Sequence, residues 1–458
     1  MTMNMPPRKQ PELRHLPNCW IPPVREVFMT NEATVKSGHQ KSEAGKRLST
    51  IMFSDYVNLH QRARDGAFVV WIAIVVPAEL FAGFDNVVYG VPESHAAMSA
   101  GKGVGPLQCE KAERLGYSLD LCSYARIDLG TAFDGGKDSP TMGLPKPHLI
   151  VSNNNNCSLL VKWFDIYHRT WNVPHFLLDV PFCYEPQSAR DLDYIVAQYR
   201  DLIRTIETLS GQTFHIERVR EALEHTRDAL ASWKRFLKTA ASRPAGLTVF
   251  DSFVQMAPFL TSRGTKTLAE HYRLLAEETE ENIAKGVFPV PNERYRLLWD
   301  NIAPWHQLSK MSSRLASLDA NLIAASYTYC MGSLEGEFDL YAYDGGDPLR
   351  YLARTQNFSI CPHGMTLRFQ AMRRAIDALG IDGVIFASNR SCKVYSVMQM
   401  DLLKRVTSEL GIPAVMIDVD HADVRKYSEE QAFTRIEALL ELIEARRKEP
   451  KSLPGRPA

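Results

Sequence analysis

Three cysteines stand where a chain of alternating strands and helices gathers its functional groups. They are Cys122 in Leu-Cys-Ser-Tyr-Ala-Arg, Cys157 after Val-Ser-Asn-Asn-Asn-Asn, and Cys392 in Ala-Ser-Asn-Arg-Ser-Cys-Lys. Cys157 and Cys392 closely follow apolar runs that read as buried parallel strands. In open α/β sheets, ligands gather beyond the carboxyl ends of the strands. Thiolates delivered there from separate segments converge on one soft-metal centre, for which an iron–sulfur cluster is the natural candidate. Three thiolates on a four-iron cluster leave one iron open, by the same logic that makes an open zinc position catalytic.

The other cysteines compete for that role. Cys183 and Cys330 also follow predicted strands, Cys361 starts a predicted helix, and Cys19 and Cys109 lie in stretches of little pattern. A buried cysteine is most often a small hydrophobe, and topology alone does not choose three of the eight. No Cys-x-x-Cys occurs, which disfavours a zinc ribbon, a ferredoxin-type run and a thioredoxin motif. Glu79 in Pro-Ala-Glu-Leu is a candidate proton-handling carboxylate, against the plainer reading of a helix-start acid favoured by the dipole. Asn153–Asn156 are candidate donors to a cluster or a thioester oxygen, or simply a polar turn. Arg126 is suited to neutralise cluster charge or to pair with a nearby acid. Lys162 and Trp163 read as surface and packing, His148 as structural.

These residues require a scaffold of parallel strands. Ala67–Val76, His148–Ser152 and Val173–Val180 read as strands, and Leu159–Trp171 as the helix between the last two, a crossover of the expected length. From residue 188 to 241 the pattern is helical. Leu192, Ile195, Val196, Tyr199, Leu202, Ile203, Ile206 and Leu209 share one face, and Gly211 marks a stop. Tyr295–Asp300, Asn321–Tyr327, Gly383–Ser388 and Ala414–Asp418 predict four more strands, with helices at Met365–Leu379, Val397–Leu410 and Glu429–Arg447. The fold class expected is α/β, with two parallel-sheet domains. Its parts are an extended and helical segment over 1–66, a first domain with long helices over 67–245, a second over 246–447, and a disordered tail over 448–458.

Composition narrows the function. The 458 residues hold 53 basic and 53 acidic side chains, so no charge excess points to nucleic acid or an acidic membrane surface. The longest apolar run, stopped by Pro77, is too short to span a bilayer. The N-terminus has no apolar signal region, so a cytoplasmic protein is expected. Eight cysteines in a reducing compartment do not form a disulfide framework.

Taken together, several motifs resemble the benzoyl-CoA reductase and 2-hydroxyacyl-CoA dehydratase family. They are Leu-Cys-Ser-Tyr-Ala-Arg, the asparagine run with Cys157 and Lys162-Trp163-Phe164, and Asn-Val-Pro-His-Phe-Leu-Leu-Asp-Val-Pro-Phe. Tyr-Arg-Leu-Leu-Trp-Asp-Asn-Ile-Ala-Pro-Trp, Ser-Asn-Arg-Ser-Cys-Lys and Ile-Asp-Val-Asp-His-Ala-Asp-Val-Arg-Lys-Tyr extend the match over roughly residues 60–445. The resemblance implies two flavodoxin-like domains with a 4Fe-4S cluster between them, held by Cys122, Cys157 and Cys392. It also implies an acyl-CoA substrate, a paralogous iron–sulfur subunit, and a separate ATP-hydrolysing iron–sulfur activator. The chain has no Gly-x-x-x-x-Gly-Lys-Ser/Thr and so no sign of the ATP site itself. The lead into Cys122 (Glu113–Ser118), the length and Pro92-Glu93-Ser94 resemble the B-type subunit of ATP-dependent benzoyl-CoA reductases. The expected activity is therefore dearomatising reduction. Radical dehydration of a 2-hydroxyacyl-CoA and a non-catalytic electron-relay role are the alternatives.

Overall fold

The computed structural model describes residues 42–185, 187–329, 343–357 and 363–448. Two four-stranded parallel sheets organise them. The first contains β1 (Phe68–Ile72), β2 (Val87–Gly90), β3 (Leu149–Asn153) and β4 (His175–Leu178) in the order β2-β1-β3-β4. The second contains β5 (Tyr295–Asp300), β6 (Ala320–Ala325), β7 (Gly383–Asn389) and β8 (Ala414–Val419) in the order β6-β5-β7-β8. Both orders are the flavodoxin-like start of a doubly wound sheet, so each sheet reverses direction beside its first strand and opens a crevice there. The central strands β1, β3, β5 and β7 are buried almost throughout. That burial explains their continuous apolar runs, since helices cover both faces of a parallel sheet.

Seven helices of the N-terminal half bear on the argument. They are α1 (Glu43–Arg64), α2 (Pro92–Gly101), α3 (Gly105–Arg114), α4 (Ser123–Ala132), α5 (Ser158–Trp171), α6 (Ala189–Ser210) and α7 (Ile216–Lys238). The α6 helix is capped at both ends: a Ser188/Asp191 capping box opens it, and Gly211, the stop expected from the sequence, closes it in the left-handed region at φ 70°. The α7 helix crosses from one core to the other. Val219 and Leu223 pack around the first sheet, whereas Trp233, Phe236 and Leu237 pack around the second. Trp305 touches both cores.

Several expectations need adjustment. The run Ala67–Val76 yields a strand only over Phe68–Ile72, because a turn follows and carries Ile74 and Val75 off the sheet. The β2 strand was not anticipated; four residues are too few to show a period. Cys122 follows no strand: it is the residue before α4. Residues 1–41 and 449–458, and with them the extended segment and almost all of the proposed tail, lie outside the described residues, as do Cys19, Cys330 and Cys361. Among the described residues no helix is long and apolar enough to cross a membrane.

Candidate functional site

The carboxyl edges of both sheets meet at one cavity of about 160 Å³. From the first sheet come Ile74 and Val75, just beyond β1, and Asn156 and Cys157, just beyond β3. From the second come Ile302 beyond β5, Tyr327 beyond β6, Cys392 beyond β7 and His421 beyond β8. Cys122 and Tyr124 enter from the start of α4. Residues far apart in sequence thus reach one place because every parallel strand delivers its following loop to the same edge.

Cys122, Cys157 and Cys392 all line this cavity, and all three are half-buried. Each immediately precedes a helix. Cys157 caps α5, its sulfur accepting the Leu160 N–H at 3.3 Å. The starts of α4 and α5 therefore turn their positive ends toward thiol sulfurs, which favours negative charge there. In the thiol form, burial pushes Cys122 up to about 12, and the nearby Cys157 adds to the rise. Three such thiols share a cavity too apolar to solvate three thiolates. Soft cations can neutralise them, and thiolate is the ligand that iron–sulfur clusters take. The donor set thus fits a cluster. Among the described residues no three His, Cys, Asp or Glu side chains are grouped tightly enough for a single metal ion.

A polar network fixes the Cys122 side of the cavity. Asn389 Oδ1 accepts the backbone N–H of His421 at 2.9 Å and its ring Nδ1 at 2.8 Å. Because the backbone nitrogen can only donate, that oxygen must be the acceptor, and Nδ1 carries the proton. Nε2 is left to accept from Ser123 Oγ at 3.0 Å, and lies 3.6 Å from Cys122 Sγ. Burial lowers the His421 pKa to about 4, consistent with a neutral ring. Burial alone would raise the Asp420 carboxyl, but the Ala422 N–H, donating at 3.0 Å, and the Ser391 hydroxyl, donating at 2.7 Å, hold it below its ordinary value. Behind this layer Arg126, fully buried, binds Asp423 at 2.9 Å and Glu113 at 2.6 Å. Arg425 binds the same two carboxylates.

The opposite walls are apolar. Trp163 and Leu160 of α5, Met256, Phe259 and Leu260 line them, together with Tyr395. Trp163, expected only to pack, is a cavity wall, and its indole N–H donates to Tyr167 at 3.1 Å.

The remaining candidates fall elsewhere. Glu79 is buried in a short 3-10 helix, Ala78–Gly83, and does not line the cavity. It accepts from Thr226 at 2.9 Å and pairs with Arg263 at 3.3 Å, and Arg263 is the residue that reaches the cavity. Of the asparagine run, only Asn156 lines the cavity. Asn153 bonds Asn155, and Asn154 ties β3 to Asp179 and Val180 beyond β4. Arg126 pairs with acids and does not line the cavity, while His148 accepts the Val69 N–H at 2.9 Å in a structural role. Cys109 lies beneath α4, with Sγ 3.8 Å from the Ser123 carbonyl, and Cys183 is not in the lining. Sequence reasoning missed Glu93, the one carboxylate among the described lining residues. That residue enters only as part of Pro92-Glu93-Ser94, with no local mark of a site. Sequence reasoning also missed His421, which sat unremarked inside a quoted motif.

Known proteins share this framework. The family model for the 2-hydroxyglutaryl-CoA dehydratase D-component matches residues 73–443. The (R)-phenyllactyl-CoA dehydratase alpha subunit of Clostridium sporogenes is 31% identical over 388 residues, covering 83% of this chain and 91% of the relative. The (R)-2-hydroxyisocaproyl-CoA dehydratase alpha subunit of Clostridioides difficile is 30% identical over 416 residues, covering 89% and 98%. The B-type benzoyl-CoA reductase subunit of Thauera aromatica is 26% identical over 379 residues, covering 81% and 87%.

Proposed function

Because the chain belongs to the 2-hydroxyglutaryl-CoA dehydratase D-component family, we propose that it is the cluster-bearing subunit of a 2-hydroxyacyl-CoA dehydratase. The observation that carries this reading is the convergence of Cys122, Cys157 and Cys392 on one cavity large enough to admit part of a substrate. Those three residues would hold a 4Fe-4S cluster, which supplies low-potential one-electron chemistry when bound. The dehydratase relatives are more similar than the reductase, which favours dehydration over the ring reduction expected from sequence. A cavity beside the cysteines favours a substrate-binding subunit over a relay. The relatives are named as alpha or B-type chains, which supports a sister subunit as partner. An ATP-hydrolysing activator completes the reading.

The chain's own residues define what is bound. Trp163, Phe259, Leu260 and Met256 offer an apolar surface to an acyl side chain and exclude water from it. Arg263 is the one arginine among the described lining residues, and Glu79 neutralises it, so these residues offer no uncompensated guanidinium to a second carboxylate. The substrate proposed is a 2-hydroxyacyl-CoA with an aromatic or branched apolar side chain.

The test is iron and acid-labile sulfide in the anaerobically purified protein and its Cys157→Ala variant, followed by turnover assays. About four of each per chain, lost in the variant, is expected. Phenyllactyl-CoA and 2-hydroxyisocaproyl-CoA should be dehydrated faster than 2-hydroxyglutaryl-CoA. Ring reduction of benzoyl-CoA without any dehydration would overturn the reading, as would a folded, reconstituted protein without iron.

A further inference from the structure

Glu93 sits in the first turn of α2 and is 5% exposed, yet it lines the same cavity as the three cysteines. Its Oε1 accepts the backbone N–H of Ile74 at 3.1 Å, which pins the carboxyl at the turn after β1. Its Oε2 is buried and has no hydrogen-bond partner among the described residues. A buried polar atom without a partner costs about 1–3 kcal/mol, so it demands a reason. An oxygen that carries a proton and faces a substrate cavity supplies one.

Several other polar groups of the wall are already engaged. His421 bonds Asn389 and Ser123 through its two nitrogens. The Tyr124 hydroxyl accepts from Trp305, the Tyr395 hydroxyl bonds Ser326, and Arg263 pairs with Glu79. Burial raises the Glu93 carboxyl to about 8, with Asp128 of α4 adding to the rise, so it is protonated at neutral pH. The titratable groups around it are Asp128 behind the wall and Cys122, Cys157, Cys392, Arg263, His421, Tyr124, Tyr327 and Tyr395 within it.

From this geometry we infer that Glu93 is the acid–base residue of the cavity, exchanging a proton with the substrate during loss of water. The inference rests on the dehydratase reading above. The bond from C2 to the hydroxyl oxygen breaks, and the Glu93 carboxyl gives its proton to the departing oxygen, forming water. The Glu93 carboxylate then takes a proton from C3, and a C2–C3 double bond remains. Glu93 begins and ends protonated, and the overall elimination is neither an oxidation nor a reduction.

Glu93→Gln keeps the shape and the acceptor for Ile74 but cannot cycle a proton. In the complete complex with its electron donor, kcat should fall about 10²–10⁴-fold, the usual contribution of a positioned acid or base. KM and the iron and sulfide content should stay near the wild-type values. An independent readout is the infrared difference between wild type and variant at neutral pH. It should contain the carbonyl stretch of a protonated carboxylic acid, shifted when the enoyl-CoA product binds. Wild-type kcat in the variant, or a difference spectrum lacking that band, overturns the inference. If the wild-type complex dehydrates no 2-hydroxyacyl-CoA, the dehydratase reading and the reaction assigned to Glu93 fall together. The infrared pair then still decides whether Glu93 holds a proton. Should Glu93→Gln not fold, Glu93→Asp makes the same comparison: the band should persist while kcat drops, because the carboxyl is withdrawn by one methylene.

Discussion

Replacing Arg126 by methionine tests the view that a buried charge network holds the Cys122 segment against the loop after β8. Methionine keeps the unbranched stem and most of the volume while removing the charge. Arg126 is fully buried and binds Asp423, also fully buried, at 2.9 Å and Glu113 at 2.6 Å; its Nε reaches the Leu121 carbonyl at 3.2 Å. Burial alone would raise the Asp423 carboxyl, but Arg425 and Arg126 together bring it from 3.8 down to about 2. A drop of that size corresponds to about 2 kcal/mol of stability. Removing one partner of a buried pair costs about 3–5 kcal/mol. Arg425 remains against both carboxylates here, which places the expected loss near the low end, about 3 kcal/mol at pH 7.

The pH dependence has a definite sign. Asp423 has a depressed folded pKa, so its contribution is present above pH 3.8 and is lost as pH falls toward about 2. In Arg126→Met the carboxyl loses one cation and protonates at higher pH, so the variant's deficit should stay constant from neutral to about pH 4 and narrow as the solution is acidified through 3.8 toward 2. Anaerobic urea unfolding followed by circular dichroism, at pH 7 and in steps from about pH 4 toward 2, reads both quantities. An unchanged midpoint at pH 7 would refute the argument, and so would a deficit that does not vary with pH.

Two further substitutions probe the placement of the cysteines. A Cβ added at Gly130 in α4 would stand 2.0 Å from the Gln108 carbonyl oxygen in α3, a backbone atom that cannot rotate away. Gly130→Ala should therefore lower stability by about 1–3 kcal/mol despite alanine's better helix propensity, and should reduce iron content because Cys122 is the residue that leads into α4. A melting temperature at or above wild type would contradict that packing. Cys109→Ser, beneath α4 and away from the cavity, should keep full iron and sulfide, in contrast to Cys157→Ala. Loss of iron there would show that Cys109 competes for the cluster.

The α/β class was legible in the chain because buried parallel strands and amphipathic helices leave different periods. Seven of the eight described strands stood out as apolar runs, and Gly211 marked the end of α6. The residue types that hold soft metals were equally visible, as was the family resemblance of the segments around Cys122, Cys157 and Cys392. Which cysteines share a cavity was not, since the sequence is silent on distance. Only the folded arrangement, with both sheets directing their carboxyl edges at one cavity, brings those three together and leaves Cys109 beneath α4. The carboxylates make the same point. Glu79 reads from its sequence as a candidate acid, whereas Glu93 enters only within Pro92-Glu93-Ser94 and carries no local mark of a site. Tertiary contacts separate them: Glu79 bonds Thr226 and is ion-paired with Arg263 outside the cavity lining, whereas Glu93, bonded to the Ile74 N–H, stands in the cavity wall. Periodicity and residue chemistry act over a few positions and survive in the linear chain. Burial, pairing and convergence depend on segments hundreds of residues apart, and exist only once the two sheets have packed.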